Sequence, residues 1–160
     1  MANKPEIIQV PNPLKNKVTY GPGGVDPAAL ERAEAVIADL KGDYLTWVQE
    51  DLQKLQAAYD KAAAASEGDR TKAMQDVFGV AHDIKGQGGS FGYQLVTVIG
   101  NQLCRFIEKR EQYGIQEVEA VRLHIDAMRL VINKRMEGDG GRVGANLVAG
   151  LSAVLDKLSK

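Results

Sequence analysis

All five prolines (Pro5, Pro11, Pro13, Pro22 and Pro27) fall within the first 27 residues, and the chain from Ala28 to Lys160 has none. A proline inside a helix removes a backbone donor and clashes with the preceding turn, at a cost of about 3 kcal/mol. Confining the prolines to one end therefore leaves a long stretch in which helices meet no such obstacle. By the same rule the segment ending in TYGPGGVDP is a poor helix, and residues 1–25 read as a flexible tail.

From Asp26 the apolar residues recur at helical spacing. Asp26 can cap a first turn that Pro27 opens, and Leu30, Ala33, Ile37 and Leu40 follow in a helix expected to end near Lys41-Gly42. A longer pattern from about Asp43 to Ala65 carries Leu45, Val48, Leu52, Leu55 and Tyr59, with Tyr44 and Trp47 expected to pack the extra N-terminal helix. After SEGD a third helix turns Ala73, Val77, Ala81 and Ile84 inward. A fourth, from about Tyr93, turns Leu95, Ile99, Leu103 and Phe106 inward. Glu117 to Arg135 holds the most regular seam, Val118, Val121, Ile125, Met128 and Ile132, and a last helix covers about Val143 to Leu158. No segment reads as a strand. The expectation is one all-α domain over residues 26–160, an antiparallel four-helix bundle with its core at about 43–136 and an additional helix at each end.

A chain of 160 residues, 44% hydrophobic, suits a single core. The formal net charge of −1 gives no overall attraction to nucleic acid or an anionic membrane, and no apolar run is long enough to span a bilayer. One cysteine, Cys104, cannot form an intramolecular disulfide and suits a reducing compartment. The chain reads as soluble, cytoplasmic and monomeric.

Within the third helix the run AHDIKGQGGSFG places His82 among glycines, each of which costs a helix about 1 kcal/mol relative to alanine. At 100° per residue, with His82 at zero, Ala73, Val77 and Ile84 lie at roughly 180°, 220° and 200°. His82 therefore points away from the core. Its neighbours within about 60° are Gln75, Phe78, Gly79, Lys85, Gly86 and Gly89. Three glycines around an imidazole clear its edge for a large partner, a clearance that a metal ion does not need. An imidazole is nucleophilic near neutral pH, and Lys85, one turn on, supplies a cation for an anionic group such as phosphate. Alone, an exposed histidine on a helix is a solvated residue and a glycine cluster marks a kink; the lysine and the clearance together favour a reactive site.

The other candidates reduce to structure. His124 flanks the regular seam and reads as packed or half-exposed. Neither histidine has a glutamate three residues before it, as a di-metal bundle requires: those positions are Gly79 and Val121. Cys104 reads as a small core hydrophobe. GPGG near the start lacks the lysine and hydroxyl of a phosphate loop, and GDGG at 138–141 reads as a helix-ending loop.

His82-Asp83-Ile84-Lys85-Gly86, with Gly92 ten residues after the histidine, resembles the H-x-x-K-G-x5-G signature of the histidine-containing phosphotransfer (HPt) domains of bacterial phosphorelays, and LVTVIGNQLCRFIE resembles the helix that follows it there. The resemblance covers roughly Tyr44 to Arg135. It implies that His82 is phosphorylated, that Lys85 helps neutralise the phosphoryl group, and that Gly86 leaves room for the partner. Gln87 and Gly88 depart from the small or hydroxyl residues often found at those positions. The partners implied are response-regulator receiver domains and an upstream or hybrid histidine kinase. No segment could bind ATP, so autokinase activity is not expected. No cofactor is expected on this chain, and a magnesium ion would sit on the receiver. With an intact histidine-lysine-glycine set a phosphocarrier is favoured over a helical module that binds receivers without carrying phosphate. In the antiparallel arrangement, residues from about Gly100 to Cys104 lie level with His82.

Overall fold

The computed structural model describes Gly24 and Asp26–Ser159, so the tail expected at residues 1–25 lies, Gly24 aside, outside the described residues. Among the described residues every regular element is helical: α1 (Pro27–Ala64), α2 (Glu67–Gly88), a single 3-10 turn at Gly89–Phe91, α3 (Gln94–Glu108), α4 (Ile115–Asn133) and α5 (Gly141–Leu158). None of these helices is long and apolar enough to cross a membrane.

The all-α expectation holds, but the helix count changes. The break expected at Lys41-Gly42 is absent, and two expected helices are the single 38-residue α1. Gly42 does not adopt a positive φ. One glycine costs about 1 kcal/mol, and with no proline or left-handed residue to enforce a stop the hydrogen-bonded ladder continues through it. In the Pro27–Asp39 part Leu30, Val36 and Ile37 are exposed.

From Leu40 onward the helices share one core. α1 buries Tyr44, Val48, Leu52, Leu55, Tyr59 and Ala62, and α3 buries Leu95, Val96, Ile99, Leu103, Phe106 and Ile107. α4 contributes Val121, Ile125, Met128, Val131 and Ile132. Each large apolar side chain so buried stabilises the fold by about 1.5–3 kcal/mol. On α2 the inward residues are Met74, Val77, Ala81 and Ile84, with Ala73 only half-buried; Met74, the larger side chain, takes the core position that the spacing assigned to its neighbour. α5 packs against α3 and α4 mainly through half-buried Leu147, Val148, Val154 and Leu155, and only Gly144 and Leu151 are buried on it.

Tyr44 and Trp47 do not serve an extra helix. Tyr44 is buried and stacks on Phe91, with centroids 4.6 Å apart and planes at 9°, while half-exposed Trp47 meets the same ring edge-on at 6.3 Å. The turn between α2 and α3 is thereby fastened to α1. Gly92 gives that turn a φ of +86°, a conformation that a side chain would strain, and its carbonyl accepts from Gly138 N–H at 2.6 Å, tying it to the loop before α5. At the other end Arg70 donates to the carbonyls of Ala62 and Ala65, at the end of α1, where helix carbonyls lack intrahelical donors, and to that of Tyr113 in the loop before α4. α2 is thus held at both ends.

Candidate functional site

α2 is amphipathic in an unequal way. Its inner side is apolar and buried, and its outer side carries Gln75, Gly79, His82 and Gly86, all exposed, with Phe78 and Lys85 half-buried along the margin. The His82 imidazole makes no hydrogen bond to any described residue. Its packed neighbour is the Phe78 ring one turn earlier, with centroids 5.8 Å apart and planes at 31°. Beside them lies a shallow hollow of about 460 Å³, lined by Gln75, Asp76, Phe78, Gly79, His82 and Asp83 among others.

The glycines of the motif fall into two groups. A Cβ built on Gly79 or Gly86 meets nothing within 4 Å beyond its own helix backbone, so both leave the surface beside His82 open. A Cβ on Gly88 would lie 2.8 Å from Thr97 Oγ1 and 3.0 Å from the Tyr93 carbonyl oxygen. Gly88 therefore serves the approach of α3. Gly89 lies one residue past the end of α2, exposed, where a Cβ would stand 3.7 Å from Thr97 Oγ1.

α3 lies directly behind the site. A Cβ on Gly100 would come within 3.0 Å of Lys85 Cβ and 3.7 Å of the Ala81 carbonyl, so Gly100 stands level with the turn that carries His82. Thr97 Oγ1 donates to the Lys85 carbonyl at 2.8 Å. The backbone and stem of Lys85 are thus held against α3, and among the described residues no carboxylate forms an ion pair with its ammonium. A held cation with no internal counter-ion suits an arriving anion. The role of Thr97 was not legible in the sequence: a threonine in a helix carries no mark of the carbonyl it will bond.

Cys104 is buried, and burial pushes its thiol up from the ordinary range, with the Lys85 charge pulling the other way and Glu108 adding to the rise. It is a core side chain. His124 is fully buried, which settles the choice between packed and half-exposed. Its Nδ1 lies 2.7 Å from the Ala120 carbonyl; since a carbonyl only accepts, Nδ1 carries the proton, and Nε2 is buried with no partner among the described residues. Burial lowers the His124 pKa, against the opposing effect of the Ala120 bond. Among the described residues no three His, Cys, Asp or Glu side chains gather as a set that could hold a metal ion.

The model of the Hpt domain family matches residues 39–132, more than half of the chain and all of α2 and α3. Neither the curated proteins nor the solved structures compared with the chain include a match.

Proposed function

Because the chain belongs to the Hpt domain family, whose role is histidine phosphotransfer in phosphorelays, we propose that it is a phosphocarrier in which His82 takes a phosphoryl group from a receiver-domain phospho-aspartate and passes it to the aspartate of another receiver. The observation that carries this reading is an exposed imidazole on the outer face of α2, inside the matched segment, flanked by two glycines with open space about them and by a cation that pairs with no carboxylate among the described residues.

In the step itself the unprotonated ring nitrogen of His82 donates its lone pair to phosphorus. The bond from phosphorus to the aspartyl oxygen breaks, and the electron pair leaves with the carboxylate. The other ring nitrogen keeps its proton, so the product is a phospho-imidazolium whose phosphate Lys85 neutralises in part. The reverse reaction on a second receiver regenerates free His82. The magnesium ion that assists such a transfer would be held by the receiver, with no cofactor on this chain. Gln75, Phe78, Gly79, Gly86 and Gly89 form the low-relief surface that the receiver covers. On the same reading α1 from Leu40, α2, α3 and α4 make up an antiparallel four-helix bundle and α5 is an addition to it; the protein works in the cytoplasm as a monomer and depends on an upstream or hybrid kinase.

Incubation with a panel of phosphorylated receiver domains tests the reading. The expected result is acid-labile, base-stable phosphate on His82, lost again on addition of an unphosphorylated receiver. Receivers that bind but leave no phosphate would mean a helical interaction module instead.

A further inference from the structure

We propose that Phe78 is a positioning residue for His82, an inference that rests on the phosphocarrier reading and adds to it how the imidazole is kept ready to react. A reactive histidine commonly has its ring orientation fixed by a hydrogen bond to the nitrogen that does not react. His82 has no such bond from any described residue. Asp83, next in sequence, stands about 100° around the helix, and Asp76, which lines the same hollow, makes no hydrogen bond with His82. Glycine on both sides adds no contact: Gly79 and Gly86 present open space.

What remains is Phe78, four residues before His82 on the same strip of α2, a separation at which helical side chains meet. Its ring is half-buried and packed against the core, so it is itself held. The two rings lie 5.8 Å apart and 31° from parallel, within the range at which aromatic rings interact. The same glycines that open the surface deprive the imidazole of neighbours, and among the described residues Phe78 supplies the aromatic ring against which it can settle. A nucleophile held in orientation reacts faster than one that must find it, and small misplacements of a reacting group are costly in rate.

Phe78 is also part of the surface proposed to meet the receiver, and the two roles part company with a small donor. With phosphoramidate the His82 nitrogen attacks phosphorus, the phosphorus–nitrogen bond breaks and ammonia leaves; no docking surface is involved. In the full chain Phe78→Ala should label about tenfold more slowly with phosphoramidate as well as with a phosphorylated receiver. Phe78→Tyr, which keeps the flat ring, should restore both rates. Phe78→Leu keeps apolar bulk without the ring and should be slow with both donors, which covers the case of Phe78→Ala failing to fold; thermal unfolding of each variant checks for that. Slow receiver transfer with an unchanged phosphoramidate rate would overturn the inference and leave Phe78 as a docking residue alone. If the wild-type chain accepts phosphate from neither donor, the phosphocarrier reading itself fails.

Discussion

The two sides of α2 use glycine for opposite ends. On the outer side Gly79 and Gly86 border open space, whereas Gly88, against Thr97 and Tyr93, and Gly100 of α3, against Lys85, lie where a single added carbon would strike backbone or a packed stem. On the proposed reading the first pair keeps another molecule's path clear, and the second lets two helices of the same molecule come together. The histidines repeat the contrast: among the described residues His82 is exposed without a hydrogen-bond partner, and His124 is fully buried with a partner for one ring nitrogen and none for the other. Residue type alone therefore says little about role; what lies within 4 Å decides it. If the contrast is real, stability should fall steeply on the inner side and hardly at all on the outer one, and phosphotransfer should do the reverse.

The largest stability loss is expected from Gly88→Ala. The new carbon would sit 2.8 Å from Thr97 Oγ1 and 3.0 Å from the Tyr93 carbonyl, and the second of these is backbone and cannot rotate aside. α2 and α3 must shift apart, which also strains the bond from Thr97 to the Lys85 carbonyl. Overpacking of this kind costs about 1–3 kcal/mol. Denaturant unfolding at pH 7 measures it, and an unchanged midpoint would erase the inner half of the comparison.

His124 gives the next effect, and a pH dependence. Burial lowers its folded pKa below the ordinary histidine value of about 6.5, so the unfolded chain takes up the proton first. Stability from this group is complete above the unfolded value and declines as pH falls through and below it, because the unfolded state then binds more protons. One such group changes stability by at most about 1.4 kcal/mol per pH unit. Unfolding measured between pH 7.5 and roughly 5.5, above most carboxylate titration, should show this decline in the wild type and not in His124→Leu. The same slope in both would remove His124 as its source.

The helices were legible in the sequence because burial at spacings of three and four leaves a direct trace, as at Val121, Ile125, Met128 and Ile132. The outward direction of His82 followed from the same geometry, and the position of Gly100 behind it from the antiparallel turn. Contacts between distant residues left no such trace. Nothing near Tyr44 announces Phe91 as its stacking partner, and nothing near Gly88 tells it apart from Gly86 two residues earlier. Gly42 misled for a related reason: a propensity of about 1 kcal/mol is a weak veto on a helix when no proline or left-handed residue supports it. The depth at which His124 is buried depends on helices packed around it, which its own spacing could only border.

Gly86→Gln sharpens the outer half. With nothing near its Cβ, the substitution should leave the helix as stable or more so, by up to about 1 kcal/mol, since glutamine is the better helix former. The longer side chain stands about 40° from His82 on the wheel and should obstruct a receiver while admitting phosphoramidate. Transfer from receivers should be lost and labelling by the small donor kept. Equal loss with both donors would mean that the histidine itself had been disturbed, and no loss with either would leave Gly86 without a role in access.

The smallest effect on stability should come from the residue on which the proposed function depends most. His82→Gln replaces an exposed side chain that makes no hydrogen bond to the described residues, and such changes lie within about 0.5 kcal/mol. Glutamine keeps polarity and helix propensity but offers no nitrogen lone pair able to attack phosphorus, because the amide lone pair is delocalised into its carbonyl. Labelling should therefore vanish with phosphorylated receivers and with phosphoramidate alike, although the unfolding midpoint stays at the wild-type value. His124 is the internal control: being buried, it cannot take over as acceptor, so no residual label should appear on it. Full labelling of His82→Gln by either donor would move the acceptor to another residue and undo the comparison on its functional side. A large drop in stability would undo it on its structural side, because an outer face built for a partner should contribute almost nothing to holding the fold together.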